Sequence, residues 1–168
     1  MEISLIKQGQ LNAQNWSGTD ITPDLSVVVP IYNEVESLPH LIDAIASTLT
    51  DTQLSYELIC VDDGSTDGST QLLKEQVLSR TDLRGVILRR NYGQTAAMAA
   101  GFNYARGRAI VTLDGDLQND PADIPMLLAK LEEGYDLVSG WRKNRQDAAV
   151  TRLLPSKIAN WLIGRTTG

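Results

Sequence analysis

The sequence predicts an α/β fold with a mainly parallel sheet covered by helices on both faces. Three observations predict it. Short apolar runs rich in β-branched residues alternate five times with segments of helical periodicity, the order of successive βαβ units. The runs are continuously apolar, as expected of strands buried on both faces. Polar and charged residues cluster where the runs end, and in a parallel sheet all those ends share one edge.

In order along the chain, residues 1–24 are polar, with Gly9, Gly18 and Pro23, and read as a flexible N-terminal arm. The run 25–32, Leu-Ser-Val-Val-Val-Pro-Ile-Tyr, is the first expected strand, with Asn33 and Glu34 as turn and helix-start residues. Leu38, Leu41, Ile42, Ile45 and Leu49 then recur at helical spacing. A second strand over 56–61 ends in Asp62-Asp63-Gly64-Ser65-Thr66-Asp67-Gly68-Ser69, a turn rich in glycine and capping residues. A helix through Leu72, Leu73 and Val77 leads to a third strand, 85–88. Asn91-Tyr92-Gly93-Gln94 opens an Ala-rich helix, 95–106, and a fourth strand follows at 109–113. Pro121 begins a helix through Ile124, Leu127, Leu128 and Leu131, and 135–139 is a short fifth strand.

The chain has 168 residues, enough for one domain with a real core. Its ordinary composition favours a folded soluble class over disorder. The single cysteine, Cys60, rules out an internal disulfide framework and sits in an apolar run, where a buried small hydrophobe is expected. The only histidine, His40, reads as surface or cap and leaves a Ser-His-Asp triad without support. Charge is uneven. From Trp141 onward there are six basic residues and one acid; the preceding 140 residues hold nine basic and twenty acidic, a net of −11. An acidic body with a basic tail is unlike a nucleic-acid binder and suits contact with phosphates or an anionic membrane. No apolar run reaches the roughly 18 residues of a membrane span, and no secretory leader is expected. The chain is expected to be a fragment of a longer protein.

The chemistry-bearing stretch is Leu113-Asp114-Gly115-Asp116-Leu117-Gln118. Two carboxylates one residue apart at a strand end form a hard oxygen site suited to Mg²⁺ or Mn²⁺. Their mutual repulsion calls for an ion or a shared proton, and Gln118 could complete the shell. Asp62 and Asp63 could bind a divalent ion or accept hydrogen bonds from a base or ribose. Asp63-x-Ser65-x-Asp67-Gly68 starts like an EF-hand loop, but its twelfth position is Lys74 where a bidentate Glu is required. With Asn33, Glu34, Arg142 and Lys143 at other strand ends, these groups converge on one cleft. No phosphate-cradling P-loop, dinucleotide fingerprint or zinc cluster is present.

In the tail, Val150, Leu153, Leu154, Ile158, Trp161 and Leu162 share one helical face while Arg152, Lys157 and Asn160 fall elsewhere. Pro155 disfavours a straight helix and suits a helix start. Two readings stand: an interfacial helix on a membrane, or an amphipathic helix packing on protein.

Val29-Pro30-Ile31-Tyr32-Asn33-Glu34, Val61-Asp62-Asp63-Gly64-Ser65-Thr66-Asp67, Asn91-Tyr92-Gly93 and Leu113-Asp114-Gly115-Asp116-Leu117-Gln118-Asn119-Asp120-Pro121 occur in that order. Together they resemble the inverting family-2 glycosyltransferases of Rossmann-like GT-A fold. The D-G-D-L-Q-x-x-P form and Gly140-Trp141-Arg142 resemble the subgroup acting on dolichyl or undecaprenyl phosphate. The resemblance covers about residues 25–165.

What it implies is metal-dependent transfer of a hexose, glucose from UDP-glucose or a near relative, to a polyprenyl phosphate. By similarity Pro30, Tyr32, Glu34, Asp62, Asp63 and Asn91 bind the nucleotide. Asp114 lies near ribose and diphosphate, Asp116 and Gln118 (with Asp114 as a third candidate) ligate Mg²⁺ or Mn²⁺, and Arg142, seconded by Lys143, holds phosphate charge. Asp114, Asp116 and Arg142 form the implied catalytic set. The domain reading is an arm (1–24), a GT-A nucleotide-sugar-binding domain (25–145) and a basic membrane-interface segment (146–168). The implied partners are a UDP-sugar, the lipid phosphate and the cytoplasmic face of a membrane, with a homo-oligomer left open. The alternatives are transfer to a glycan hydroxyl and a non-catalytic nucleotide-sugar-binding domain. A hydroxyl acceptor needs a carboxylate base, and from Trp141 onward the only acid is Asp147.

Overall fold

The computed structural model describes residues 4–7 and 22–140. Among them six strands form one sheet: β1 (Ser4–Lys7), β2 (Leu25–Ile31), β3 (Tyr56–Asp62), β4 (Leu83–Ile87), β5 (Ala109–Thr112) and β6 (Leu137–Ser139). The helices are α1 (Leu38–Thr50), α2 (Ser69–Ser79), α3 (Gln94–Tyr104) and α4 (Ile124–Glu132), the last preceded by a 3₁₀ turn at Pro121–Asp123. The sheet order is β4-β3-β2-β5-β1-β6.

Strands β4, β3, β2 and β5 form a parallel block, with Leu25 registered against both Tyr56 and Ala109. The sequence expectation is met here, because each of these strands is recovered within a few residues. It fails at the edge. Residues 1–24 are not a loose arm throughout: Ser4–Lys7 is a strand, antiparallel to both β5 and β6. Four residues are too few for a periodicity signal, and this strand exists through its two distant partners. Because β1 is antiparallel to both neighbours, β6 runs in the same sense as the parallel block. All the other strands therefore still point their C-terminal ends to one edge.

Alternation along the strands divides the core in two. Val27, Val29 and Ile31 of β2, with Leu58 and Cys60 of β3, pack against Leu41, Ile45 and Leu49 of α1, Leu73 of α2 and Ile124, Leu127 and Leu131 of α4. Val28, Ile59, Val61 and Ile110 face the other way, onto Ala97 of α3 and the adjoining Ala105. One helix thus covers one face and three cover the other. Cys60 is fully buried, and burial pushes its thiol up to about 12, so it behaves as the inert hydrophobe expected.

The opposite edge of the sheet is closed by a buried ionic group. Glu57, only 4 % exposed, accepts from the Ser26 hydroxyl at 2.7 Å and the Arg106 backbone N–H at 2.7 Å. The guanidinium groups of Arg106 and Arg84 approach its other oxygen at 3.2 and 3.5 Å.

Helix α3 lies close on the sheet because Gly101 faces it. A Cβ at this position would run into Cγ1 of Val28 and stand 3.2 Å from Cγ2 of Val61. Both are stiff β-branched side chains. In an exposed helix Gly→Ala stabilises by about 1 kcal/mol. Here overpacking outweighs that gain, and Gly101→Ala is expected to destabilise the domain by about 1–3 kcal/mol, read as a lower urea midpoint. An unchanged or raised midpoint would show that α3 is not seated on Val28.

Candidate active site

The loop after β2 carries Tyr32, Asn33 and Glu34, and the loop after β3 holds it in place. Asn33 adopts a left-handed backbone, φ +57°, which its side-chain amide tolerates. Its N–H donates to Ser65 Oγ at 2.9 Å, and its Oδ1 accepts from the Thr66 N–H at 2.8 Å. The next two N–H groups, of Glu34 and Val35, donate to Ser69 Oγ (2.9 Å) and Asp67 Oδ2 (3.0 Å). Asp67 also accepts from the Ser69 hydroxyl and N–H at 2.6 and 2.9 Å. The Ser65–Ser69 turn is therefore a clamp between two strand-end loops. Its acid, Asp67, is fully engaged within the protein.

The adjacent acids Asp62 and Asp63 part company. Asp62 ends β3 with no exposed surface. Its oxygens accept from the Ser65 N–H at 3.0 Å and from the Thr70 hydroxyl. It tethers the start of α2 and does not line the cleft. Asp63, one residue on, points the other way, 2 % exposed. Its two oxygens accept from the N–H groups of Tyr92 and Gly93, both at 2.8 Å. Asp63 thereby fixes the loop before α3 and forms part of the cleft wall.

Beyond β5, Asp114-Gly115-Asp116 crosses the end of β2. A Cβ on Gly115 would stand 3.1 Å from the Pro30 carbonyl oxygen and 3.4 Å from Cγ of Glu34, so a small residue is needed for this approach. Leu117 follows with φ +58°, a strained conformation of the kind that collects at functional sites. Asp114 accepts from Gln94 Nε2 at 2.5 Å on Oδ1 and from Asn119 Nδ2 at 3.2 Å on Oδ2. Asp116 accepts on Oδ1 from the Gln118 N–H at 3.1 Å; its Oδ2 has no hydrogen-bond partner among the described residues.

Together these loops enclose a cleft of about 230 Å³ at the C-terminal ends of the parallel strands. Of the expected site residues, Pro30, Tyr32, Glu34, Asp63, Asn91, Asp114 and Asp116 line it. Gln118 is exposed and does not line the cleft. Arg142 and Lys143, with the basic segment 146–168, lie outside the described residues. Gln94 lines the cleft and was not singled out from the sequence, although its place beside Asn91-Tyr92-Gly93 at a strand end was a usable signal. Among the described residues no group of three or more His, Cys, Asp or Glu side chains could hold a metal. No helix among them is long and apolar enough to cross a membrane.

A mainly parallel sheet whose strand-end loops gather acids around one cleft, with helices on both faces, is the architecture of a GT-A-type α/β domain. Residues 26–167 match the family model for glycosyl transferase family 2, and the chain belongs to that family. It is 51 % identical over 147 residues to a dodecaprenyl-phosphate galacturonate synthase of Rhizobium johnstonii. It is 48 % identical over 145 residues to an undecaprenyl-phosphate 4-deoxy-4-formamido-L-arabinose transferase of Proteus mirabilis. Each match takes in 86 % of this chain and 44 % of the relative, so the chain spans under half the length of these curated relatives. The fold is similar to that of Staphylococcus aureus TarS 1–349 (TM-score 0.51, 24 % identity, 66 % of this chain and 32 % of that one). It is likewise similar to the mannosyltransferase PcManGT of Pyrobaculum calidifontis, solved with GDP-Man and Mn²⁺ (TM-score 0.51, 24 % identity, 66 % and 33 %).

The Asp67 clamp has a pH signature. Burial pushes its carboxyl up, but the hydrogen bonds from Ser69 and the Val35 N–H outweigh this and hold it below its ordinary value. A lowered folded pKa stabilises above the unfolded value of about 3.9, and that contribution disappears as pH falls through the folded pKa. Asp67→Asn is therefore expected to cost about 1 kcal/mol at neutral pH, the worth of one such tie. The urea midpoints of the two proteins should converge as the solution is acidified below about pH 3.9. A gap independent of pH would refute the assignment.

Proposed function

We propose that the chain is the nucleotide-sugar-binding part of an inverting transferase that moves a sugar from a nucleoside diphosphate to a polyprenyl phosphate at a membrane surface. The observation that carries this is the strand-end cleft, where Asp116 offers an open carboxylate oxygen beside the hydrogen-bonded Asp114. The names of both curated relatives support the acceptor class, since both contain a polyprenyl phosphate. Glucose is the sugar that the motif resemblance implies; galacturonate and 4-deoxy-4-formamido-L-arabinose are the sugars in the relatives' names. The proposal therefore takes the donor as a UDP-linked pyranose and leaves its substituents to the assay.

The donor set fits a divalent cation. Mg²⁺ is commonly held by one or two carboxylates together with substrate phosphates, and Asp116, with Oδ2 open in the cleft wall, provides a hard oxygen of that kind. Bound there, Mg²⁺ or Mn²⁺ supplies charge neutralisation for the departing diphosphate. The protein's own share is positioning. Asp63 and the clamp between the two loops hold the walls on which Pro30, Tyr32, Glu34 and Asn91 meet the nucleotide. Asp114 presents its carboxylate toward ribose and diphosphate. Ser4 registers with both Thr112 and Ser139, so β6 ends level with β5. Arg142 and Lys143 are assigned to phosphate charge on the motif resemblance alone.

A phosphate monoester is anionic at neutral pH, so its oxygen attacks the anomeric carbon without a strong general base. Inversion follows from in-line attack, with the nucleoside diphosphate leaving opposite. Orientation and charge stabilisation supply the rate. The basic amphipathic segment after residue 145 is assigned to the membrane surface, which would bring the lipid phosphate to the cleft.

Calorimetric titration with UDP, with and without Mn²⁺, tests the binding half. Mn²⁺ is expected to tighten UDP binding, and Asp116→Ala to remove about tenfold or more of that gain. Equal metal-dependent binding by the variant would sink the metal assignment. Transfer from UDP-glucose and from UDP-linked galacturonate to a short polyprenyl phosphate, set against oligosaccharide acceptors, tests the chemical half. Product on oligosaccharides alone would refute the lipid-phosphate reading.

A further inference from the structure

Gln94 is the first residue of α3 and an exposed one, yet its side chain turns into the cleft. Its Nε2 donates to Asp114 Oδ1 at 2.5 Å across twenty residues of sequence. Facing a carboxylate, the amide must present its N–H₂, because its oxygen would meet like charge. On the other side Asn119, 7 % exposed, donates to Asp114 Oδ2 at 3.2 Å. Both oxygens of Asp114 are thus engaged by neutral amides, while Asp116 keeps Oδ2 without a partner among the described residues. The two acids of Asp114-Gly115-Asp116 look equivalent in sequence, and their hydrogen bonds make them unequal.

The delivery of the Gln94 amide is rigid. Helix α3 begins where Asp63 holds the Tyr92 and Gly93 N–H groups, and it is seated on Val28 through Gly101. A donor on a fixed helix start sets its partner's rotamer better than one on a free loop. An amide also orients a carboxylate without cancelling its charge.

We propose that Gln94 is a positioning residue that divides the labour of the acid pair. It holds Asp114 as a hydrogen-bond acceptor for the nucleotide and away from the cation, leaving Asp116 as the acid that takes the metal. This rests on the nucleotide-sugar reading above.

The test is direct binding, without turnover: Mn²⁺ by loss of the free-ion EPR signal, and UDP by calorimetry in saturating Mn²⁺. Gln94→Met keeps length and helix propensity at an exposed position, so folding is not at stake. Freed from its donor, Asp114 Oδ1 can join Asp116 on the ion. Mn²⁺ affinity without UDP is expected to rise about threefold or more, while UDP affinity falls about fivefold, in keeping with one lost hydrogen bond. A merely structural role would weaken both together. In an Asp114→Asn background, Gln94→Met should give no gain in Mn²⁺ affinity over Asp114→Asn alone. Mn²⁺ affinity unchanged or lowered in Gln94→Met, or a gain that survives Asp114→Asn, overturns the positioning role alone. If the unsubstituted chain binds neither Mn²⁺ nor UDP, the nucleotide reading fails and this inference fails with it.

Discussion

The Asp63 carboxylate is the tie on which the cleft depends. A buried carboxylate must be fully hydrogen-bonded to persist, and Asp63 meets that need with two backbone N–H groups from another strand's exit loop. The contact is close because Gly64 follows. A side chain there would stand 2.6 Å from Cα of Arg90 and 2.7 Å from the Asn91 nitrogen. Gly64 also has φ +72°, so two backbones meet where only glycine fits. The start of α3, and with it the Gln94 amide, follows from this one junction. On the other side the Ser65–Ser69 clamp fixes the β2 loop, so a single turn after β3 organises both walls.

The two edges of the sheet use their acids differently. At one edge Glu57 is surrounded by Ser26, Arg84 and Arg106, and burial lowers the pKa of Arg84 while Glu57 opposes that shift. This group ties β2, β3, β4 and the segment entering β5, and its carboxylate oxygens are both bonded within the protein. At the other edge Asp62, Asp63 and Asp67 are likewise satisfied internally, and Glu34 accepts from the Ser37 hydroxyl at 2.5 Å. Asp116 Oδ2 and Glu34 Oε1 have no hydrogen-bond partner among the described residues, and both residues line the cleft. A buried or half-buried carboxylate left open carries a cost that a ligand would relieve. The position of these open oxygens, more than the number of acids, is why the function is read at this edge.

Much of this was legible from the sequence, and the misses have physical causes. Continuous apolar runs identified the parallel block because strands buried on both faces cannot hide their composition. The strand-end rule then located the cleft, since topology alone brings Glu34, Asp63, Asn91, Asp114 and Asp116 together. The different surroundings of Asp62 and Asp63 were not legible, because neighbouring residues at a strand end project to opposite sides and side-by-side acids carry no mark of which is which. Glu57 lay unnoticed inside an apolar run because its compensation comes from Arg84 and Arg106, 27 and 49 residues away. Ser4–Lys7 lacked a local signal altogether. Its pairing is wholly non-local, and four residues cannot show a period.

That unexpected strand has a consequence for the proposed chemistry. Had β6 paired directly with β5, the chain would leave the sheet one strand spacing from Asp114, about 4.8 Å. With β1 inserted between them the separation is two spacings, about 10 Å, at the same level, since Thr112 and Ser139 share Ser4 as partner. An antiparallel insert achieves this without reversing β6, so β6 still points its C-terminal end to the cleft edge. On the proposed reading, a site for both a nucleoside diphosphate and a second phosphate would use that breadth. Like charges on donor and acceptor must be kept apart until cations from different elements offset each of them. On the proposed reading the metal beside Asp116 answers for one phosphate group and Arg142 with Lys143 for the other.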